Sequence, residues 1–92
     1  METMTEDQIR DSLQKLTGWE FDEDEIKKTF EFADFKESLE FVNEVGKLAE
    51  KVNHHPEIEI HLNKVEIELS THEVSGVTEK DIDLAKQIEE IK

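Results

Sequence analysis

Three of the four histidines in this chain fall in two short segments, Asn53-His54-His55-Pro56-Glu57 and, seventeen residues on, Ser70-Thr71-His72-Glu73. Imidazole titrates near about 6.5, which suits it to giving and taking protons at neutral pH. Two or three imidazoles around one small space can supply a general acid and a general base. Simpler roles compete for each residue taken singly. Asn53 suits a helix end because it tolerates the left-handed conformation. Protonated His54 and His55 would be favoured there by the helix dipole. Pro56 is a stop signal, and His61 reads as an exposed strand residue. A zinc site is disfavoured, since adjacent histidines chelate one ion poorly and neither Cys nor an H-x-x-x-H pair is present. Ser70 and Thr71 lie near His72, but no nucleophile elbow accompanies them.

Both segments sit where periodic structure stops. Asp34, with Glu37 three residues on, opens the longest helix; Phe35, Leu39, Val42, Val45, Leu48, Ala49 and Val52 form its apolar stripe up to the paired histidines. Phe41 lies beside that stripe, as a core edge or as a contact for another subunit. Ile58, Ile60 and Leu62 alternate with acidic and polar residues, as do Val65, Ile67 and Leu69. A two-residue loop at Asn63-Lys64 pairs Leu62 with Val65 and Ile60 with Ile67, and sets Glu59 opposite Glu68 and Glu57 opposite Ser70. On that register Pro56 approaches Thr71 and His72, and His72 faces His54 and His55 across one concavity. Backbone groups freed at both element ends can then hydrogen-bond a flat, polar heterocycle.

The flanking elements complete one domain over residues 1–92. Thr5-Glu6-Asp7-Gln8 has the form of a capping box opening a helix over about 5–15. Trp19 and Phe21, then Ile26, Phe30 and Phe32, read as a hairpin turned by Asp22-Glu23-Asp24-Glu25, with Lys28 an anomaly on the apolar face. Thr78 caps a last helix, with Asp81 at its third position and Ile82, Ala85, Ile88 and Ile91 as its stripe. The order predicts an α+β fold, a four-stranded antiparallel sheet with three helices packed on one face.

The formal charge is −14, from 25 acidic and 11 basic residues, and no Lys/Arg stripe offsets it, so direct nucleic-acid binding is not expected. With no cysteine there is no disulfide, thiolate metal site or thiol nucleophile. Met1-Glu2-Thr3-Met4 is polar, and no apolar run approaches the roughly 20 residues of a membrane span, so a soluble, cytoplasmic protein without a signal peptide is expected.

The runs Glu50-Lys51-Val52-Asn53-His54-His55-Pro56-Glu57, Asn63-Lys64-Val65, Leu69-Ser70-Thr71-His72-Glu73 and Gly76-Val77-Thr78 through Asp81 resemble the pterin-4a-carbinolamine dehydratases. The resemblance covers nearly the whole chain and is strongest over residues 49–85. H-H-P joined to T-H-E at this spacing is specific, whereas H-H-P alone is weak. The resemblance implies dehydration of a 4a-hydroxytetrahydropterin (4a-hydroxytetrahydrobiopterin) to the quinonoid dihydropterin, in pterin cofactor recycling, without metal or cofactor. It implies acid–base roles for His54 and His72, and orientation or charge stabilisation by His55. It also implies substrate contacts from Asn53, Pro56, Glu57, Ser70, Thr71 and Glu73. Asp81 matches a family position suited to orienting a histidine, although helix capping explains it equally. Homodimers or homotetramers are implied too. Alternatives are a non-catalytic pterin-binding or dimerisation module, since animal members serve a homeodomain transcription factor through the long helix, or a role in molybdopterin metabolism. Three positions depart from the animal pattern. Asn53 replaces an Asp, removing a carboxylate beside the imidazoles; Ile58 replaces an aromatic and Leu62 a Tyr, both bearing on one pocket wall.

Overall fold

The expected order is realised as α1 (Glu6–Leu13), β1 (Glu20–Asp22), β2 (Glu25–Glu31), α2 (Phe35–Val52), β3 (Glu57–His61), β4 (Lys64–Leu69), a 3₁₀ turn (His72–Val74) and α3 (Glu79–Ile91). The computed structural model describes residues 2–91; Met1, at the polar start, and Lys92 lie outside the described residues. Local chemistry sets the helix starts. The Thr5 hydroxyl accepts from the Gln8 amide at 3.2 Å while the Gln8 side chain accepts from the Thr5 amide at 2.8 Å. Asp34 caps α2 by accepting from the Glu37 amide at 2.9 Å, and Glu37 reaches back to the Ala33 amide. At its far end α1 tightens, with the amides of residues 14–16 each bonding three residues back, so the α-helix stops short of residue 15.

The sheet is antiparallel in the order β1-β2-β4-β3. The β3–β4 register differs from the expected one by two residues. His61 pairs with Lys64, Ile60 with Val65, Ile58 with Ile67, Glu59 with Glu66 and Glu57 with Glu68. The turn is therefore Leu62-Asn63, not Asn63-Lys64. A slip of two leaves every apolar residue on its own face, so alternation cannot choose between the registers. The turn itself is tied to the end of β2. The Asn63 side chain donates to the Phe32 carbonyl at 3.1 Å, and the Phe32 amide donates to the Asn63 carbonyl at 2.8 Å. Leu62 takes the strained position at φ 58° and is 71% exposed.

All three helices pack on one face of the sheet. Ile9, Phe41, Val45, Ile82, Leu84, Ala85 and Ile88 share a core with Ile26, Phe30, Val65, Ile67 and Leu69. The buried face of α2 is the expected stripe only in part, with Val42 and Leu48 packed against the core. Ser38, Phe41, Val45 and Ala49 are buried, while Phe35, Leu39 and Val52 are exposed. Phe41 belongs to the core, its ring 4.8 Å from that of Phe30 and 4.9 Å from that of Phe32, and burying a Phe contributes about 2 kcal/mol. The buried Ser38 hydroxyl is satisfied by the Asp34 carbonyl. On α3, Leu84 is as buried as its neighbours, not set to one side. Lys28 accounts for its apolar-face position by snorkelling. Its ammonium lies over the Phe30 ring, 4.7 Å from the centroid, and donates to the Thr17 carbonyl and to Glu89 on α3, both at 2.8 Å.

The opposite face is acidic. Glu57 faces Glu68 and Glu59 faces Glu66 across the β3–β4 ladder, and carboxylate oxygens of Glu59, Glu66 and Glu68 lie within 4.8 Å of one another. Partial burial, then the Glu25 charge and the neighbouring Glu57 and Glu66 carboxyls, push the Glu68 carboxyl up to about 7. Its folded value thus exceeds the unfolded one. The stabilisation from its bound proton is complete below about 4.5 and is lost as pH rises through about 7. Chemical denaturation across that interval should show stability falling with pH, and Glu68→Gln should flatten the fall; equal slopes would contradict this coupling. Separately, Leu62→Asn should raise stability by about 1 kcal/mol by relieving the left-handed backbone. An unchanged urea midpoint would show that the turn carries no such strain.

Candidate active site

The site begins with how α2 ends. Asn53 adopts the left-handed conformation at φ 55° and ψ 44°, and the amides of Asn53 and His54 both turn back to the Ala49 carbonyl. Pro56 has no amide with which to extend the helix. This reversal turns the chain across the start of α3. There the His54 ring, 12% exposed, meets the Asp81 carboxylate with Nε2 2.6 Å from Oδ1.

Asp81 is completely buried in the first turn of α3. Its other oxygen, Oδ2, accepts from the Thr78 amide at 2.9 Å, which is the cap, and from the Thr71 hydroxyl at 2.9 Å. Capping and histidine orientation, alternatives on sequence grounds, are both present, one to each carboxylate oxygen. Thr71 is also fully buried and is held to Gly76 by a short antiparallel bridge, its amide donating to the Gly76 carbonyl at 2.8 Å. That bridge closes the turn carrying His72. So the exit of α2, the exit of β4 and the start of α3 meet at one carboxylate. The register that was expected to bring them together is absent, and α3 does the joining.

The other candidate residues fall into three groups. His54, Thr71 and Asp81 form the buried cluster, with Ser70 half-buried and His72 exposed beside it in the chain. The Thr71 hydroxyl is spent inside this cluster, so it reaches outward only through Asp81. On the surface, His55 pairs with Glu50 at 2.5 Å, while Asn53 and Glu73 are exposed and Pro56 is half-buried. Glu57 opens β3 and turns to the acidic sheet face against Glu68. The single hollow expected between the three imidazoles takes a different form. A cleft of about 190 Å³ beside His54 is lined by Val52, Lys80, Asp83, Leu84 and Gln87, and neither His55 nor His72 lines it. A larger open groove of about 630 Å³, at Arg10, Trp19, Phe21 and Lys27, holds no histidine and no comparable proton-transfer pair. Sequence reasoning missed Glu50, whose signal was an acid five residues before a helix-exit histidine. It read Thr78 only as a cap.

Comparison with known proteins gives the family. Residues 2–91 match the family described as Pterin 4 alpha carbinolamine dehydratase. A candidate pterin-4-alpha-carbinolamine dehydratase of Sulfurisphaera tokodaii is 45% identical over 91 residues, 99% of this chain and 98% of that one. The crystal structure of a transcriptional coactivator/pterin dehydratase from Brucella melitensis superposes with a TM-score of 0.94 at 35% identity, covering 98% of each chain. A pterin dehydratase-like protein identified as a RuBisCO assembly factor in the alpha-carboxysome shares the fold, with a TM-score of 0.67 at 19% identity over 79% of this chain and 84% of its own. With its fold, its histidine segments and nearly its full length accounted for, this chain belongs to the pterin-4-alpha-carbinolamine dehydratase family.

Proposed function

We propose that the protein dehydrates a 4a-hydroxytetrahydropterin to the quinonoid dihydropterin, with His54 and His72 as the proton-transferring pair. One observation carries this reading: Asp81 grips His54 directly and Thr71, the neighbour of His72, by the same carboxylate. The elimination is redox-neutral. The C4a–O bond breaks as one imidazole protonates the departing hydroxyl. The lone pair of a ring nitrogen closes a C=N bond, and a second imidazole takes the proton that this nitrogen releases. Water is the only by-product. Asp81 positions His54, and Thr71 acts through Asp81. His55, paired with the exposed Glu50, orients substrate or stabilises charge at the rim. Asn53, Pro56, Ser70 and Glu73 are the remaining candidates for substrate contact, and Glu57 would contribute from the sheet edge. The reaction would serve pterin recycling in the cytoplasm.

Membership of the family and the exposed Phe35, Leu39 and Val52 on α2 support assembly into a homodimer or homotetramer. The same exposed residues favour the second reading, a protein-binding module that keeps the fold without turnover.

Steady-state dehydration of a 4a-hydroxytetrahydropterin separates the two. His54→Ala and His72→Ala should each lower kcat/KM by about 10²-fold or more, whereas His61→Ala, on the outer sheet face, should stay within about twofold. Wild-type rates in either of the first two variants would remove the acid–base assignment. Absence of turnover in the wild type would favour the binding module.

A further inference from the structure

We propose that Thr78 is a positioning residue for His54, acting through Thr71 and Asp81 to hold the imidazole in a single tautomer with Nδ1 presented for proton transfer. The kinetic part rests on the dehydratase reading; the tautomer part stands on hydrogen bonding alone.

The direction of the network follows from counting protons. A hydroxyl has one proton to donate, and an ionised carboxylate has none. Thr71 Oγ1 donates to Asp81 Oδ2 at 2.9 Å, so its proton is spent. The contact of 2.7 Å between the two threonine hydroxyls must therefore run from Thr78 to Thr71. Thr78 Oγ1 in turn accepts from the Lys80 amide at 3.3 Å, while the Thr78 amide donates to Asp81 Oδ2 at 2.9 Å. Thr71, Thr78 and Asp81 are all buried, at 1% exposure or less, so water does not supply replacements. The result is a one-way chain from the Lys80 amide through Thr78 and Thr71 to the carboxylate.

Two donors on Oδ2 hold the carboxylate plane, so Oδ1 is the oxygen aimed at His54. An acceptor-only oxygen 2.6 Å from Nε2 requires the proton on Nε2. In the neutral ring Nδ1 is then the basic nitrogen, the one available to a substrate. A polar network of this kind polarises along its length and fixes its orientation only while each member is satisfied. Thr78 supplies two of its links from one residue, the backbone cap and the hydroxyl. Replacing the hydroxyl by a methyl group leaves the Thr71 oxygen without its donor and the Lys80 amide without its acceptor.

The test uses Thr78→Val and Thr78→Ser, with the His54 ring nitrogens read by long-range ¹H–¹⁵N correlations and turnover measured where circular dichroism shows each variant folded. In the wild type His54 should carry its proton on Nε2. Thr78→Val should mix the two tautomers and lower kcat about tenfold with little change in KM. Thr78→Ser, which keeps both donor and cap, should restore the single tautomer and bring kcat to within about twofold of wild type. Three results overturn the proposal: a wild-type proton on Nδ1, a Thr78→Val protein with wild-type tautomer and kcat, or a Thr78→Ser protein as impaired as Thr78→Val. Should Thr78→Val not fold, the wild-type tautomer and the Thr78→Ser protein still decide. If the wild type turns over no pterin, the dehydratase reading fails while the tautomer response still supports or refutes the role of Thr78.

Discussion

A carboxylate with no exposed surface has to find all its donors within the protein, because leaving one lone pair unpaired in the interior costs about 1–3 kcal/mol or more. Asp81 finds three, and each comes from a different element: the imidazole just beyond α2, the hydroxyl just beyond β4, and the amide that opens α3. Residues 27 apart in the chain are tied through one side chain. Ends of helices and strands are ordinarily where a fold is loosest. Here three such ends are joined, so His54 can sit on a connecting segment and keep its geometry.

The sheet separates the protein into two electrostatic halves. Its inner face, with Ile26, Phe30, Val65, Ile67 and Leu69 packed under the helices, supplies the burial that stabilises a small domain. Its outer face sets glutamates opposite glutamates, and there partial burial, followed by the neighbouring acids, raises the Glu68 carboxyl. Asp81 and its partners belong to the inner half, where the carboxylate is enclosed by donors and not by other acids. Of the many acids in the chain, it is the fully buried one that meets a histidine.

Much of this was legible because it is local. The capping box at Thr5, the Asp34 cap, the left-handed Asn53 and the apolar alternation of four strands are each set by residues within a few positions of one another. What required tertiary structure was not local. Moving the β3–β4 pairing by two residues changes no side chain's face, so alternation left that register open. The long helix carries apolar residues on more than one face, and periodicity placed Val42, Val45, Leu48 and Ala49 correctly while leaving Phe41 aside and Phe35 inside. The histidine segments were conspicuous from residue type and spacing. Their meeting point was only half visible, since Asp81 looked equally like a cap, and nothing in the sequence showed that one carboxylate serves both purposes. Thr78 and Glu50 were hidden for the same reason, each being an ordinary residue, one just before a helix and one inside it.

The proposed acid–base pair requires His54 and His72 to serve one ligand, although the cleft at His54 is not lined by His72. The most direct measurement is a titration with a dihydropterin, followed at the imidazole resonances of all four histidines. The expected result is saturable perturbation of His54 and His72 with one common affinity, and no response at His61. Perturbation of neither ring, or binding traced instead to the groove at Arg10 and Trp19, would contradict it.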